Sequence, residues 1–262
     1  MRWKTRAIAM VVIVVLMAVS FVIPVSAISD EEVAAPSAIL MEPNTGKILY
    51  EKNANELRPC ASITKVMTLL LVMEAIDSGK ISLDDQVTAS AHAASMGGSD
   101  IWLKEGETMS VNDLIKATVI MSANDAAVVL AEHVYGTEDE FVKQMNIRAK
   151  QLGMNDTTFK NCNGLDEDGH LTTAHDVALM SAELIKHEKI FDYTLTWMDY
   201  VRDGETQLVN TNKLIRSYKG ITGLKTGTTS QAGSCISATA KRDNLSLVAV
   251  VLGCSTTDER FT

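Results

Sequence analysis

Short apolar runs bounded by turn residues lie near both ends of the chain, and longer runs of helix-forming residues fill the middle. Strands are predicted at 37–41, 47–51, 208–212, 223–226, 233–241 and 245–252. Helices are predicted at 62–76, 111–121, 125–135, 138–152 and 173–186. This order favours an α+β domain in which the first hairpin joins the last strands in one antiparallel sheet.

The first 27 residues have the pattern of a targeting segment. Arg2, Lys4 and Arg6 form a positive region, residues 7–23 are apolar and uncharged, and small residues precede a cleavage point after Ala27. We therefore expect 1–27 to be a signal peptide and the rest to be exported. An uncleaved membrane anchor is the alternative, because about 17 apolar residues is the lower edge of what spans a bilayer.

Charge and size narrow the classes of protein. Removal of residues 1–27 takes away three positive and no acidic side chains, so the formal net charge changes from −9 to −12. Such an acidic chain argues against a nucleic-acid partner. The remaining residues, 28–262, suffice for one large core or two closely packed lobes.

Cysteine and histidine spacing gives no sign of a cofactor. The four cysteines fit no zinc or C-x-x-C pattern, so we expect them to be small buried hydrophobes. The five histidines have no ligand spacing and are expected at the surface or at caps. No Gly-rich phosphate loop is present, and we expect no metal and no cofactor. The cysteines are Cys60, Cys162, Cys235 and Cys254, and the histidines are His92, His133, His170, His175 and His187.

Three short motifs occur in order along the chain. They are Ser62-Ile63-Thr64-Lys65, Ser122-Ala123-Asn124 and Lys225-Thr226-Gly227. Each is weak alone, but all three in this order are hard to reach by chance. Together they indicate a nucleophilic serine with a lysine base.

The first motif places both reacting groups on one helix. Ser62 and Lys65 are three residues apart and share a face, so the amine can reach the hydroxyl. Burial would lower the pKa of Lys65, and a second cation such as Lys225 would lower it further. At a helix N-terminus, the Ser62 amide and one amide from a facing strand would stabilise an oxyanion.

The other two motifs supply groups that hold a substrate. Ser122 can relay a proton to a leaving nitrogen, and Asn124 can orient Lys65 and hold a peptide bond. Gly227 lets a substrate lie along its strand as an added β-partner. Lys225 and Thr226 offer a positive charge and a hydroxyl to a carboxylate.

With these residues, the chain resembles the serine-type D-alanyl-D-alanine carboxypeptidases, the low-molecular-mass penicillin-binding proteins, over nearly all of residues 34–262. The resemblance implies a β-lactamase/transpeptidase-like α+β fold, with an antiparallel sheet from both chain ends packed against a helical subdomain. It also implies that 28–262 is the catalytic domain. The family's small β-rich domain and amphipathic anchor are not in this sequence, which leaves association with the membrane surface open.

The resemblance further implies roles for individual residues. Ser62 would form the acyl-enzyme, Lys65 would take its proton, and Ser122 and Asn124 would complete the site. The substrate would be a peptidoglycan stem peptide ending in D-Ala-D-Ala, and β-lactam antibiotics would inhibit as its mimics. An arginine after the last strand commonly holds the terminal carboxylate in this family, and Arg260 stands at about that place.

Four other classes of protein are alternatives to a carboxypeptidase. Three of them are enzymes that use the same serine chemistry, and the fourth has no catalytic activity. A β-lactamase of class A needs an additional glutamate and has Asp where this chain has Ala123, and we find no counterpart to that glutamate. A peptidoglycan transpeptidase or endopeptidase remains close, because a transpeptidase differs only in its acyl acceptor and an endopeptidase cuts cross-links. A non-catalytic wall-binding protein would be expected to have a broken motif, and none is broken.

Overall fold

A computed structural model describes residues 28–262. The predicted signal peptide, 1–27, lies outside the described residues. Val33–Thr262 form one compact unit. Within residues 28–262, no helix combines the length and the apolar composition needed to cross a bilayer.

Nine strands are present in the described part of the chain. Five of them form one antiparallel sheet in the order β2-β1-β9-β8-β7, and β3–β4 and β5–β6 form two separate antiparallel pairs. The strands are β1 Ser37–Glu42, β2 Lys47–Lys52, β3 Gln86–Thr88, β4 Thr108–Ser110, β5 Met198–Val201, β6 Thr206–Val209, β7 Ile221–Thr229, β8 Gly233–Arg242 and β9 Leu245–Cys254.

Eight α-helices lie among residues 28–262. They are α1 Lys65–Asp77, α2 Ala91–Ala94, α3 Val111–Lys116, α4 Asn124–Tyr135, α5 Glu138–Gln151, α6 Ala174–Leu184, α7 Phe191–Thr194 and α8 Leu214–Ser217. Short 3₁₀ turns occur at Ala61–Thr64, Glu188–Ile190 and Glu259–Phe261, and a π-helical turn occurs at Ala117–Met121.

The core is built around α1. Ten of its thirteen residues are buried, so it is surrounded by protein on nearly all sides. It packs against α4, α5 and α6, and α6 in turn covers β1 and β9 of the sheet. The start of α1 therefore lies between the sheet and the helices, where water has little access.

The predicted architecture is confirmed, with differences at element ends. The first hairpin joins the last two strands through β1 and β9, as expected. The single helix predicted at 111–121 is instead α3 followed by a π-helical turn. The strand predicted at 208–212 is β6, which ends at Val209. Beyond it the chain turns, because Asn210 Oδ1 accepts from the backbone N–H of Asn212 and Asn212 Oδ1 accepts from that of Leu214.

Candidate active site

Ser62 lies in the 3₁₀ turn that leads into α1. The preceding Ala61 has a φ of 50°, a left-handed conformation that is costly for a residue with a side chain. Two glycines make room for this turn. A Cβ on Gly164 would collide with the carbonyl oxygen of Ala61, and one on Gly227 would lie 2.9 Å from the Ser62 nitrogen. The turn is thus enclosed by a loop on one side and by β7 on the other.

Lys65, the first residue of α1, is completely buried. Its Nζ donates to Ser62 Oγ at 3.0 Å, to Asn124 Oδ1 at 2.6 Å and to the carbonyl oxygen of Asn163 at 2.6 Å. Burial lowers the pKa of Lys65 to about 7, although the nearby Cys162 and Asp100 oppose the shift. A lysine with this pKa is partly an uncharged amine at neutral pH, within hydrogen-bond distance of an alcohol.

The second motif forms the turn between the π-helical segment and α4. Ser122 has a φ of 67° and is 6% exposed. Asn124 begins α4, and its amide group bridges two parts of the site. Its Oδ1 accepts from Lys65, while its Nδ2 donates to the carbonyl oxygen of Gly97 at 2.6 Å. Its backbone N–H donates to the carbonyl oxygen of Ser99 at 2.7 Å, so the loop before β4 is tied to this turn.

The third motif lies within β7, opposite the start of α1. Lys225 is 2% exposed, and its Nζ donates to the carbonyl oxygen of Thr226 at 2.9 Å. Burial lowers the pKa of Lys225 well below its ordinary value, and the charges of Lys65 and Arg260 add to the shift. The charge of Lys65 thus disfavours the charge on Lys225, with burial as the larger cause.

Arg260 approaches β7 from the 3₁₀ turn after β9. Its Nη1 donates to the carbonyl oxygen of Gly227 at 3.1 Å and to Thr228 Oγ1 at 2.8 Å. Burial lowers the pKa of this guanidinium from its ordinary value. The structure therefore brings a second cation to the strand that carries the third motif.

Three contributions to the site were missed by sequence reasoning. Two are backbone carbonyl groups, those of Asn163 and Gly97, which any residue type could supply. The third is the buried carboxylate of Asp125, which accepts from the backbone N–H groups of Ile101 and Leu103. An acidic residue directly after Asn124 at a helix start was the available signal, because such a position favours a carboxylate.

The expectation that every histidine lies at the surface or at a cap is wrong for His170, which is 4% exposed. Burial lowers its pKa to about 4, so the ring is neutral at neutral pH. The backbone N–H of Lys160 donates to Nδ1 at 3.2 Å, so Nε2 carries the proton and donates to Thr64 Oγ1 at 2.8 Å. Thr64 donates in turn to the carbonyl oxygen of Ala61, which braces the turn that carries Ser62.

All four cysteines are free and buried, as expected. Cys60 lies two residues before Ser62, but burial raises the pKa of its thiol to about 11. Because the thiolate is the nucleophilic form, this residue is inert at neutral pH.

Comparison with known proteins gives the same assignment over most of the chain. A family model described as D-alanyl-D-alanine carboxypeptidase, Peptidase S11, matches residues 24–256. D-alanyl-D-alanine carboxypeptidase DacF of Bacillus subtilis is 52% identical over 229 residues, which are 86% of this chain and 59% of the relative. The chain spans about three fifths of the length of the curated relatives it matches.

Solved structures agree. Penicillin-binding protein D2 of Listeria monocytogenes, in its ampicillin-bound form, has a TM-score of 0.81 at 36% identity and covers 89% of this chain and 95% of its own. Penicillin-binding protein 5 of Haemophilus influenzae has a TM-score of 0.84 at 32% identity, and the match covers 89% of this chain and 69% of that protein's chain. The likeness confirms the predicted β-lactamase/transpeptidase-like α+β fold. On sequence and fold together, the chain belongs to the D-alanyl-D-alanine carboxypeptidase family, Peptidase S11.

Proposed function

We propose that this protein is a serine-type D-Ala-D-Ala carboxypeptidase that removes the terminal D-alanine from peptidoglycan stem peptides through an acyl-enzyme on Ser62. The observation that carries the proposal is the 3.0 Å contact between Nζ of the completely buried Lys65 and Oγ of the partly buried Ser62. A serine hydroxyl is a weak nucleophile until a neighbouring base takes its proton.

Acylation begins with the uncharged form of Lys65. The amine takes the proton of Ser62 as Oγ attacks the carbonyl carbon between the two D-alanines, and the new ammonium keeps its bonds to Asn124 and Asn163. The developing oxyanion is stabilised by the Ser62 amide and an amide of β7. The closeness of β7 to the Ser62 nitrogen at Gly227 supports this arrangement.

Departure of D-alanine needs a proton on its nitrogen. Ser122, in the turn beside Asn124, relays a proton from Lys65 to the leaving amine. Asn124 holds the lysine in place and offers its amide to the peptide bond. Water then attacks the acyl-enzyme, with Lys65 again as the base, and the shortened peptide leaves.

The carboxylate of the departing D-alanine meets the cationic wall of β7. Lys225, Thr226 and Arg260 are the proposed binding residues, with Gly227 allowing the substrate to lie against the strand. Within the protein, burial and the charges of Lys65 and Arg260 disfavour the charge on Lys225. An arriving carboxylate reverses this by favouring the ammonium form, so substrate binding and protonation of Lys225 are coupled. β-Lactams would acylate Ser62 as mimics of the same dipeptide.

We also propose that residues 1–27 act as a signal peptide and that 28–262 form the catalytic domain at the outer face of the cell membrane. The positive start, the apolar run and the small residues before position 28 support this. The N-terminal sequence of the exported protein and its partition between membrane and soluble fractions test the cleavage and the membrane-surface association.

The enzyme assignment is tested with two reagents, a D-Ala-D-Ala peptide and a fluorescent penicillin. We expect release of D-alanine and one covalent label, both abolished in Ser62→Ala. The matched control is Ser255→Ala, an exposed serine beyond β9, which should keep both activities. If the unmodified protein shows no covalent label and releases no D-alanine, the enzyme assignment is refuted. A label without release, with transfer to an added amine, would favour a transpeptidase.

A further inference from the structure

Trp102 is the most exposed large hydrophobic side chain in the described part of the chain. It is 73% exposed, and Leu57 follows at 53%. Within residues 28–262, no aromatic ring and no cationic group lies over its indole, whereas the guanidinium of Arg216 lies 5.1 Å from the ring of Trp197. A bare indole loses the free energy that its burial would provide.

The backbone at Trp102 is held in a costly conformation. Its φ is 55°, in the left-handed region that bulky residues rarely adopt. The N–H groups on either side, those of Ile101 and Leu103, donate to the two oxygens of the buried Asp125 carboxylate at 3.2 and 2.9 Å. A strained residue that its surroundings fix in this way often has a functional role.

A second part of the chain also holds this loop through hydrogen bonds. Arg202, in the turn between β5 and β6, donates through Nη1 to the carbonyl oxygen of Ile101 at 2.9 Å. Its Nε donates to Glu107 Oε1 at 2.6 Å. The indole is therefore presented by a loop fixed from two sides, which lowers the entropy cost of binding a ligand.

This loop is continuous with the wall of the candidate active site. The carbonyl oxygens of Gly97 and Ser99 accept from Asn124, whose Oδ1 bonds Lys65. Three residues after Ser99 the chain reaches Trp102. The indole therefore stands on the same loop as the residues that contact Asn124.

Beside the indole lies an open surface groove of about 680 Å³. Its lining is about half polar and half apolar, and it carries both signs of charge, from Lys104, Glu105, Glu107 and Arg202. An apolar partner would leave these groups without water or hydrogen bonds, which is costly. A sugar ring suits the groove, because its C–H face can stack on an indole while its hydroxyl and amide groups bond to charged side chains.

We propose that Trp102 and this groove form a carbohydrate subsite that binds the N-acetylated sugar next to the stem peptide of the substrate. The inference rests on the proposed function for the identity of the substrate. Trp102 is then a specificity residue that favours stem peptides attached to their sugar and does not affect the binding of free stem peptides.

The test compares two substrates, a free D-Ala-D-Ala stem peptide and the same peptide carried on its disaccharide. In Trp102→Ala, we expect kcat/KM on the disaccharide substrate to fall by roughly three- to tenfold, the range for one aromatic contact. On the free peptide kcat/KM should stay the same, and Trp102→Phe should retain part of the preference. Tyr218→Ala, which removes an exposed ring lying against Arg242, is the matched control and should leave both substrates unaffected.

Equal losses on both substrates would mean that Trp102 contacts the peptide, and no loss on either would mean that it contacts neither. Each result overturns the carbohydrate subsite. A second readout does not need catalysis. A chitotetraose probe should quench the indole fluorescence of the Ser62→Ala protein, and the quench should vanish when Trp102→Phe is added but persist with Trp197→Phe. If neither substrate releases D-alanine, the proposed function fails while the quench still decides the subsite.

Discussion

Replacing Asn124 by Asp tests whether Lys65 is the base. The change is nearly isosteric and turns the amide oxygen that accepts from Lys65 into a carboxylate. At the observed 2.6 Å, the attraction between the two charges is about 6 kcal/mol at an effective dielectric constant of about 20. Desolvation of the new carboxylate offsets much of this, so we expect the pKa of Lys65 to rise by about two units.

The consequence for acylation follows from the fraction of uncharged amine. With a pKa of about 7, about half of Lys65 is uncharged at pH 7. A rise of about two units leaves roughly 1%, so acylation at pH 7 should slow by about fiftyfold. Part of the rate should return near pH 9.5, where Lys65 is again mostly uncharged, and the loss that remains reflects the Nδ2–H donor to Gly97 that a carboxylate lacks.

The assay is the second-order rate of labelling by fluorescent penicillin, measured from pH 5.5 to 9.5. The acid limb should lie near pH 7 in the unmodified protein and near pH 9 in Asn124→Asp. Asn124→Ala is the control, because it removes the contact without adding charge and should not move the limb to higher pH. An acid limb at the same pH in Asn124→Asp and the unmodified protein would show that another group titrates, and the base assignment would be wrong.

Three further changes have expected outcomes. The pKa of Lys65 is lower in the folded protein than its ordinary 10.5, so the unfolded chain binds more protons between about pH 7 and 10.5 and stability from this group rises with pH. In urea unfolding, the difference in free energy between the unmodified protein and Lys65→Met should therefore change by about 2–4 kcal/mol from pH 7 to 9.5, in favour of the lysine, and parallel values would contradict this. Gly164→Ala, which collides with Ala61, should lower the free energy of unfolding by more than about 1 kcal/mol, whereas Gly97→Ala meets open space and should change it little. Arg260→Ala should lower kcat/KM about 10- to 100-fold for a peptide with a free C-terminal carboxylate, which is the scale of one charged hydrogen bond. The same peptide with an amidated C-terminus should show no such loss. An equal loss on both would remove Arg260 from carboxylate binding.

The parts of the fold that sequence reasoning predicted are those with a residue-type pattern. Apolar runs and turn residues locate β1, β2, β8 and β9, and the absence of Gly and Pro locates α1. The short pairs β3–β4 and β5–β6 are not predicted as pairs, because three or four residues carry too little periodicity and their pairing depends on distant contacts.

The site divides in the same way. The side chains that would do chemistry have distinctive types and spacing, so Ser62, Lys65 and Asn124 could be chosen from sequence. The groups that hold them could not, because the carbonyl oxygens of Asn163 and Gly97 are common to all residues. The buried His170 was missed for a related reason, since its partner Thr64 is 106 positions away in the sequence.

Strained backbone occurs at the candidate active site and at the loop that carries Trp102. Ala61, Trp102 and Ser122 all have φ between 50° and 67°, and none of them is a glycine. Such a conformation costs about 1–3 kcal/mol per residue and persists only where surrounding contacts fix it. Those contacts are present at Ala61 through Thr64 and at Trp102 through Asp125. These strained residues and the buried Lys65 lower the stability of the region. They also hold the reacting groups in position before substrate arrives. Substitutions that relieve the strain at Ala61, in the turn that carries Ser62, should therefore raise thermal stability and slow acylation together.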